Sequence, residues 1–418
     1  MKSPESKILV GPMSQLVTMA HLPARGPLQD NDLTVIVDAG ILMENGTITA
    51  VGAFEALKTT HNDAQVHLLE GKHTCLPGFI DAHTHICFGG SRAKDYALRN
   101  AGKTYLEIAR AGGGIWDTVT KTRALSQEVL AKSTAKLANR HLKNGTTTIE
   151  VKSGYGLSVA EELKMLRAIR AAQGATKATL IPTCLAAHTL PKDFQGTAKA
   201  YLHQMAEELL PQIKEEQLAT RMDAFIEESA FSSTAISTYF ETAKRLGFDL
   251  TVHADQFSTG GSAVAVDAKA MSADHLEVST PKEIALLAQS DTVATVLPGA
   301  SLGLGLPFAP ARKLLDAGAI LAIASDHNPG SAPMGDLLTQ AALMGAYEKL
   351  TQAEVLAGIT VRAAMALGLT DRGQLVPGQQ ADFILFHTAD FSEILYNQGN
   401  LKPCVIFKNG EKVVDKHG

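Results

Sequence analysis

The chain has 418 residues, 45% of them hydrophobic, enough to bury a large core in one or two domains. Thirty-eight basic side chains face 43 acidic ones, a formal net charge of −5 with no long run of either sign, which excludes a nucleic-acid footprint or an acidic tail. No apolar run approaches the ~20 residues of a membrane span, no signal peptide opens the chain, and Cys75, Cys87, Cys184 and Cys404 form no CxxC pair, so a cytoplasmic protein with free thiols is expected.

In chain order, the first elements are β. "DAGILMENGTITAVG" (38–52) holds two apolar runs joined by Asn45-Gly46, a strong hairpin signal. Eight short apolar runs follow, at 78–83, 145–151, 178–185, 223–228, 248–254, 270–276, 291–297 and 319–325, with helical patterns between them. Within 160–172, Leu163, Leu166 and Ile169 share one helix face, and Thr280, Pro281 and Glu283 open another helix with a capping box. The chain closes with a strand-like run at 381–387 and a second hairpin, 404–415, turning at Asn409-Gly410. Eight alternating units predict an α/β fold, a (β/α)8 barrel over residues 69–375. Chain ends tend to lie close together, so residues 1–68 and 376–418 are expected to join in one small accessory β-sandwich domain.

The segment "LPGFIDAHTHICFGG" (76–90) carries the first chemistry. Side chains two apart on a strand point the same way, so His83 and His85 project together from the C-terminal end of the first barrel strand, where barrel active sites lie. Alone, such a pair is more often structural. Three further strand ends shift the balance: "TVHAD" carries His253, "SADHLE" carries His275 and "ASDHNPG" carries Asp326. Polar groups converging on one barrel mouth point to a metal. His83, His85, His253 and Asp326 offer three nitrogens and a carboxylate oxygen, which suit Zn2+ or Fe better than Mg2+ or Ca2+. Such an ion activates water near neutral pH.

With these residues in place, the chain resembles the amidohydrolase superfamily, whose pattern is HxH, two more histidines and an aspartate across a barrel. More narrowly it is similar to the imidazolonepropionase family. The resemblance covers nearly the whole chain and rests on "LPGFIDAHTH", "ARAGGGI" ending at Ile115, "NGTTTIEVKSGYGL" (144–157), "AAHTLP" (186–191), "HADQFSTGG" (253–261), "SADHLE" and "SDHNPGSAP" (325–333). It implies hydrolysis of the ring C–N bond of 4-imidazolone-5-propanoate to N-formimidoyl-L-glutamate, in histidine degradation. It also implies one divalent or trivalent metal ion per subunit, Zn2+ or Fe, on His83, His85, His253 and Asp326. Arg92, Tyr155, His188, Gln256, Asn328, Gly330 and Ser331 would contact substrate. A guanidinium such as Arg92 can grip a carboxylate in bidentate fashion, Tyr155 and His188 can supply further donors, and Gly330 lets backbone approach closely. The catalytic roles fall to three residues. Asp326 would take the proton of the attacking water and deliver it to the leaving nitrogen, and His275 would stabilise the developing oxyanion. Gln256 would hold the substrate; many family members carry glutamate there, and an amide cannot accept a proton. Asp255 is a weaker candidate for proton transfer and reads as a supporting strand-end acid. Dinuclear superfamily members bridge two metals through a modified lysine on strand four. Lys152 ends strand two and reads as an ion-pair partner, so a single metal is expected. The run "SLGLGLPFAPAR" (301–312) lacks the aromatic-rich character expected of the family there.

Other readings stay open on the sequence. "GASLG" (299–303) matches the G-x-S-x-G nucleophile elbow, although Pro307 and Pro310 follow where an elbow leads into a helix. A deaminase or another cyclic-amide hydrolase would share the metal core, and a catalytically inactive barrel could serve as a scaffold, though such proteins lose ligands. The expected partner is a small-molecule substrate, with no nucleic acid and no membrane. Oligomeric state is not written in the sequence; analogy with such barrels suggests a homodimer.

Overall fold

Two Asn-Gly dipeptides set corners of the fold. Asn45 (φ 52°) and Gly46 (φ 79°), like Asn409 (φ 49°) and Gly410 (φ 75°), occupy the left-handed region that a two-residue hairpin turn requires. The computed structural model describes residues 7–104, 107–108, 111–227 and 230–416. The first turn joins β2 to β3 within a set of early strands: β1 (Ile8–Val17), β2 (Val35–Glu44), β3 (Thr47–Ala53), β4 (Gln65–Leu68) and β5 (Thr74–Pro77).

Eight parallel strands then follow in chain order: β6 (Phe79–Asp81), β7 (Thr146–Lys152), β8 (Thr179–Ala187), β9 (Arg221–Phe225), β10 (Asp249–Ala254), β11 (Ser272–His275), β12 (Val293–Val296) and β13 (Leu321–Ile323). Each overlaps one of the eight predicted runs, although β9 starts two residues before its run and ends at Phe225, and position 228 of that run lies outside the described residues. The sheet closes just past β13. There Asp326 N donates to His83 O at 3.0 Å and His85 N to His327 O at 2.9 Å, a parallel bridge between Thr84 and His327. The ring is therefore shut by the backbone of residues whose side chains are candidate ligands.

Helices cover the outside, as the period of the intervening segments requires. Helix Val159–Gln173 starts at Ser158, whose side chain accepts from Glu161 N, and buries Leu163, Leu166 and Ile169. Helix Pro281–Ala288 has the expected capping box, Thr280 with Glu283; losing such a cap costs about 1 kcal/mol. Among the described residues no helix is long and apolar enough to cross a membrane.

The two chain ends meet in an accessory β unit, completed by β14 (Phe383–Phe386), β15 (Val405–Lys408) and β16 (Glu411–Asp415). Its strands are hydrogen-bonded into one sheet in the order β16-β15-β14-β5-β1-β2-β3, with β4 also on β1. Val10, Met13, Ile41, Phe383 and Phe407 fill its core, and the Phe383 and Phe407 rings stack at 4.4 Å. β5 hands the chain straight to β6 through Gly78, where a Cβ would fall 2.3 Å from Thr147 Oγ1. That close approach sets the link between the two sheets directly against β7, the barrel's second strand.

Candidate active site

His83, His85, His253 and Asp326 come together at the barrel mouth. His83 Nε2 and His253 Nε2 lie 3.2 and 3.3 Å from His85 Nε2, and Asp326 Oδ1 lies 3.4 Å from His85 Nε2 and 3.6 Å from His83 Nε2. Donor atoms held about 2.0–2.2 Å from a tetrahedral ion sit about 3.3–3.6 Å apart, close to the separations of His83, His253 and Asp326 from His85 Nε2. The three histidines are buried and form a group able to hold a metal. Burial keeps His83 and His85 well below the ordinary histidine range and His253 at about 3, so all three rings are neutral, the form that ligates. Burial pushes Asp326 up to about 6, against the pull of His275.

The far nitrogens of two of the three rings, His83 and His253, face carboxylates below. His83 Nδ1 donates to Asp274 Oδ2 at 2.7 Å, and His253 Nδ1 lies 2.9 Å from Asp223 Oδ2. A carboxylate at Nδ1 fixes the tautomer that leaves Nε2 free for a metal. Lys152 ties these acids together: its Nζ is 2.7 Å from Glu150 Oε1, 2.8 Å from Asp223 Oδ2 and 3.9 Å from Asp274 Oδ2. Burial works against the Lys152 charge, but the surrounding carboxylates outweigh it and raise its pKa. Lys152 is thus an ion-pair partner beneath the site.

His275 stands beside the ligands, its ring 5.2 Å from that of His253. Its backbone φ of 91° and the 73° of Leu276 are costly for residues with side chains, about 1–3 kcal/mol each, and such strain clusters at functional sites. Burial opposes charge on His275, yet Glu277, 3.4 Å from its Nδ1, and Asp326 tip it toward the protonated form.

Above the ligands opens a cavity of about 580 Å³, a size that suits a small metabolite. All seven predicted contact residues, Arg92, Tyr155, His188, Gln256, Asn328, Gly330 and Ser331, line it, with His85, His253, His275 and Asp326 at its floor. Arg92 Nε is anchored on Asp95 Oδ2 at 2.7 Å, and its Nη1 would meet a Cβ on Gly330 at 2.5 Å, so a side chain at 330 would push the guanidinium from its place. Burial pushes the Tyr155 phenol up, which keeps it a donor. Two expectations change. His188 Nδ1 donates to Gly154 O at 2.9 Å, and burial holds the ring neutral, with a pKa of about 4. Its other nitrogen is therefore an acceptor and not the expected donor. The Asn328 amide is used inside its own loop: Nδ2 donates to Asp326 O and Ser331 Oγ, and Oδ1 accepts from Gly330 N and Ser331 N. It shapes the loop that faces the cavity.

Asp255 accepts from Gly260 N, Ser262 N and Ser279 Oγ, which makes it an organiser of the loop after β10. The serine-elbow reading fails. Ser301 lies inside helix Pro298–Leu304, buried, with its hydroxyl donating to Glu277 Oε1 at 3.3 Å, whereas an elbow serine sits exposed on the strand-to-helix turn. Just beyond it, Leu304 and Leu306 give the cavity an aliphatic wall in place of the aromatics expected there.

Sequence reasoning missed Asp223, Asp274, Glu150, Glu227 and Glu277. Their signal was a charged residue within, or just after, an apolar strand run, since a buried charge needs a partner. Glu227 holds the far side of the cavity by accepting from Gln256 N and Phe257 N, both at 3.0 Å.

The comparisons with known proteins agree with this geometry. Residues 74–414 match the model of the amidohydrolase family. Over 422 residues the chain is 40% identical to an imidazolonepropionase of Symbiobacterium thermophilum, covering 99% of this chain and 98% of that protein. Over 411 residues it is 42% identical to an imidazolonepropionase of Deinococcus radiodurans, covering 98% and 100%. Among solved structures it superposes on a zinc-bound adenosine deaminase from Xanthomonas campestris with a TM-score of 0.72 at 18% identity, over 99% of this chain and 94% of that one. It also superposes on a zinc complex of atrazine chlorohydrolase from Arthrobacter aurescens, with a TM-score of 0.72 at 16% identity, over 98% and 95%. These structural likenesses speak for the fold. With its barrel, its ligand cluster and its full-length relatives taken together, the chain belongs to the amidohydrolase family and, within it, to the imidazolonepropionases.

Proposed function

We propose that this chain opens the ring of 4-imidazolone-5-propanoate by hydrolysing its C–N bond, giving N-formimidoyl-L-glutamate in histidine degradation. The observation that carries the reading is one cavity with a ligand cluster at its floor and an anchored guanidinium, Arg92, in its wall. Full-length similarity to imidazolonepropionases supports it. His83, His85, His253 and Asp326 would hold a single ion, zinc or iron. When bound, that ion supplies activation of water and polarisation of the ring carbonyl.

The chain's own groups do the rest. Arg92 binds the propanoate carboxylate, and Tyr155 donates to the substrate from its buried phenol. His188 accepts from a ring N–H, and Gln256 holds the ring without moving a proton. Asp326 takes the proton of the attacking water and passes it to the ring nitrogen as the C–N bond breaks. His275, tipped toward its protonated form by Glu277 and Asp326, donates to the carbonyl oxygen as negative charge develops there. The carbonyl carbon leaves as a carboxylate and the nitrogen as the formimidoyl N–H. Four buried, unpaired cysteines agree with a reducing, cytoplasmic setting.

The test is incubation of the purified protein with enzymatically made imidazolone propanoate, measuring substrate loss, formimidoyl-glutamate and bound metal on one sample. Turnover with about one metal per chain is expected. Faster turnover of a purine without a carboxylate would replace this reading with that of a deaminase.

A further inference from the structure

The cavity wall contains a second arginine that the sequence did not single out. Arg99 lies seven residues after Arg92, on helix Ala93–Asn100, so two helical turns place both guanidiniums on one side. Arg99 Nη1 donates to Gly303 O at 2.6 Å and Nη2 to Gly330 O at 3.3 Å. It therefore joins three segments that are distant in sequence: its own helix, helix Pro298–Leu304 and the loop of Asn328–Ser331. The other two segments also touch directly. A Cβ on Gly303 would fall 1.5 Å from Ser331 O, so main chain lies on main chain there.

The loop's own hydrogen bonds run through Asn328 and fix its shape. They leave its docking height to its neighbours. Arg99 and the bare face of Gly303 supply that docking, and the docked loop then sets Gly330 against Arg92. Arg99 carries this out at some cost, because burial and the nearby Arg92 charge both disfavour its positive form.

We infer that Arg99 is a positioning residue: it docks the Asn328–Ser331 loop on helix Pro298–Leu304 and so sets the geometry of the carboxylate-binding end of the cavity. The inference rests on the proposed function, because it takes that end to hold the substrate's tail. The side-chain hydrogen bonds of Arg99 go to Gly303 O and Gly330 O, so its effect should fall on binding.

The experiment compares the parent with Arg99→Met, Arg99→Lys and Gly303→Ala, each checked for metal content and melting temperature. KM for imidazolone propanoate and the Kd of imidazole propanoate, an unreactive probe, are measured alongside the Kd of the corresponding propanamide. Loss of two charge-assisted hydrogen bonds should raise KM and the probe Kd at least about tenfold in Arg99→Met, with kcat falling less than about threefold. Arg99→Lys, with a point charge in place of a fork, should recover part of the loss. Gly303→Ala should reproduce it through Ser331. The propanamide Kd should barely move. Unchanged KM and probe Kd in Arg99→Met, or a fall confined to kcat or to metal content, overturns the inference. Absence of turnover and of probe binding in the parent would instead strike at the proposed function.

Discussion

Replacing Lys152 by Met tests how the ligand cluster is held. The Nζ lies within 2.7 and 2.8 Å of two carboxylates, and all three side chains are fully buried. Methionine keeps most of the stem volume, so little cavity forms and the change is chiefly one of charge. Removing one member of a buried ion pair strands the others, at about 3–5 kcal/mol. That is about a fifth or more of the total stability of a typical protein, about 5–15 kcal/mol. The loss should also reach the metal. Burial already works against a charged Asp223, and His253 and Lys152 together keep it ionised. Burial pushes Asp274 up to about 6, and Lys152 opposes that rise. Without the lysine both acids tend to take up protons, and His253 Nδ1 and His83 Nδ1 lose firm acceptors. Urea unfolding followed by circular dichroism should show a drop of about 3–5 kcal/mol, with metal content below about half of the parent. Adding Glu150→Gln to the variant removes one stranded charge and should recover about 1–2 kcal/mol, a coupling expected for residues in contact. A Lys152→Met protein within about 1 kcal/mol of the parent and fully loaded with metal would refute the reasoning.

Two further outcomes follow from the ligand cluster. Asp326→Asn keeps an oxygen for the metal but cannot take up a proton, so turnover should fall at least about 10²–10⁴-fold while metal analysis still finds partial occupancy; near-normal turnover would remove Asp326 from proton transfer. Stripping the metal with a chelator should abolish activity and lower the melting temperature, and ion at about 1,000 times its Kd should restore about 4 kcal/mol of stability along with turnover; a melting temperature blind to metal would mean that the cluster does not bind it.

Much of this was legible from residue order. The barrel strands follow apolar runs, and their ends carry His83, His85, His253, His275 and Asp326, because polar residues that close buried strands mark the mouth of a barrel. The hairpins at Asn45-Gly46 and Asn409-Gly410 are local, since only a few residue types enter the left-handed region at low cost. The capping box at Thr280 is local for a similar reason. The supporting charges were harder to read. Glu150, Lys152, Asp223 and Asp274 come from three different strands, and only closure of the sheet brings them within reach of one another.

Local pattern therefore determined which residues could bind a cation and which elements would carry them. Tertiary structure decided the separations of 3.2–3.4 Å of His83, His253 and Asp326 from His85 Nε2, the acceptor role of His188, the burial of Ser301 in a helix and the docking of the 328–331 loop by Arg99. Spacing along a strand fixes direction only. Distance between strands, and the partner that occupies each nitrogen, arise when segments hundreds of residues apart are packed against each other.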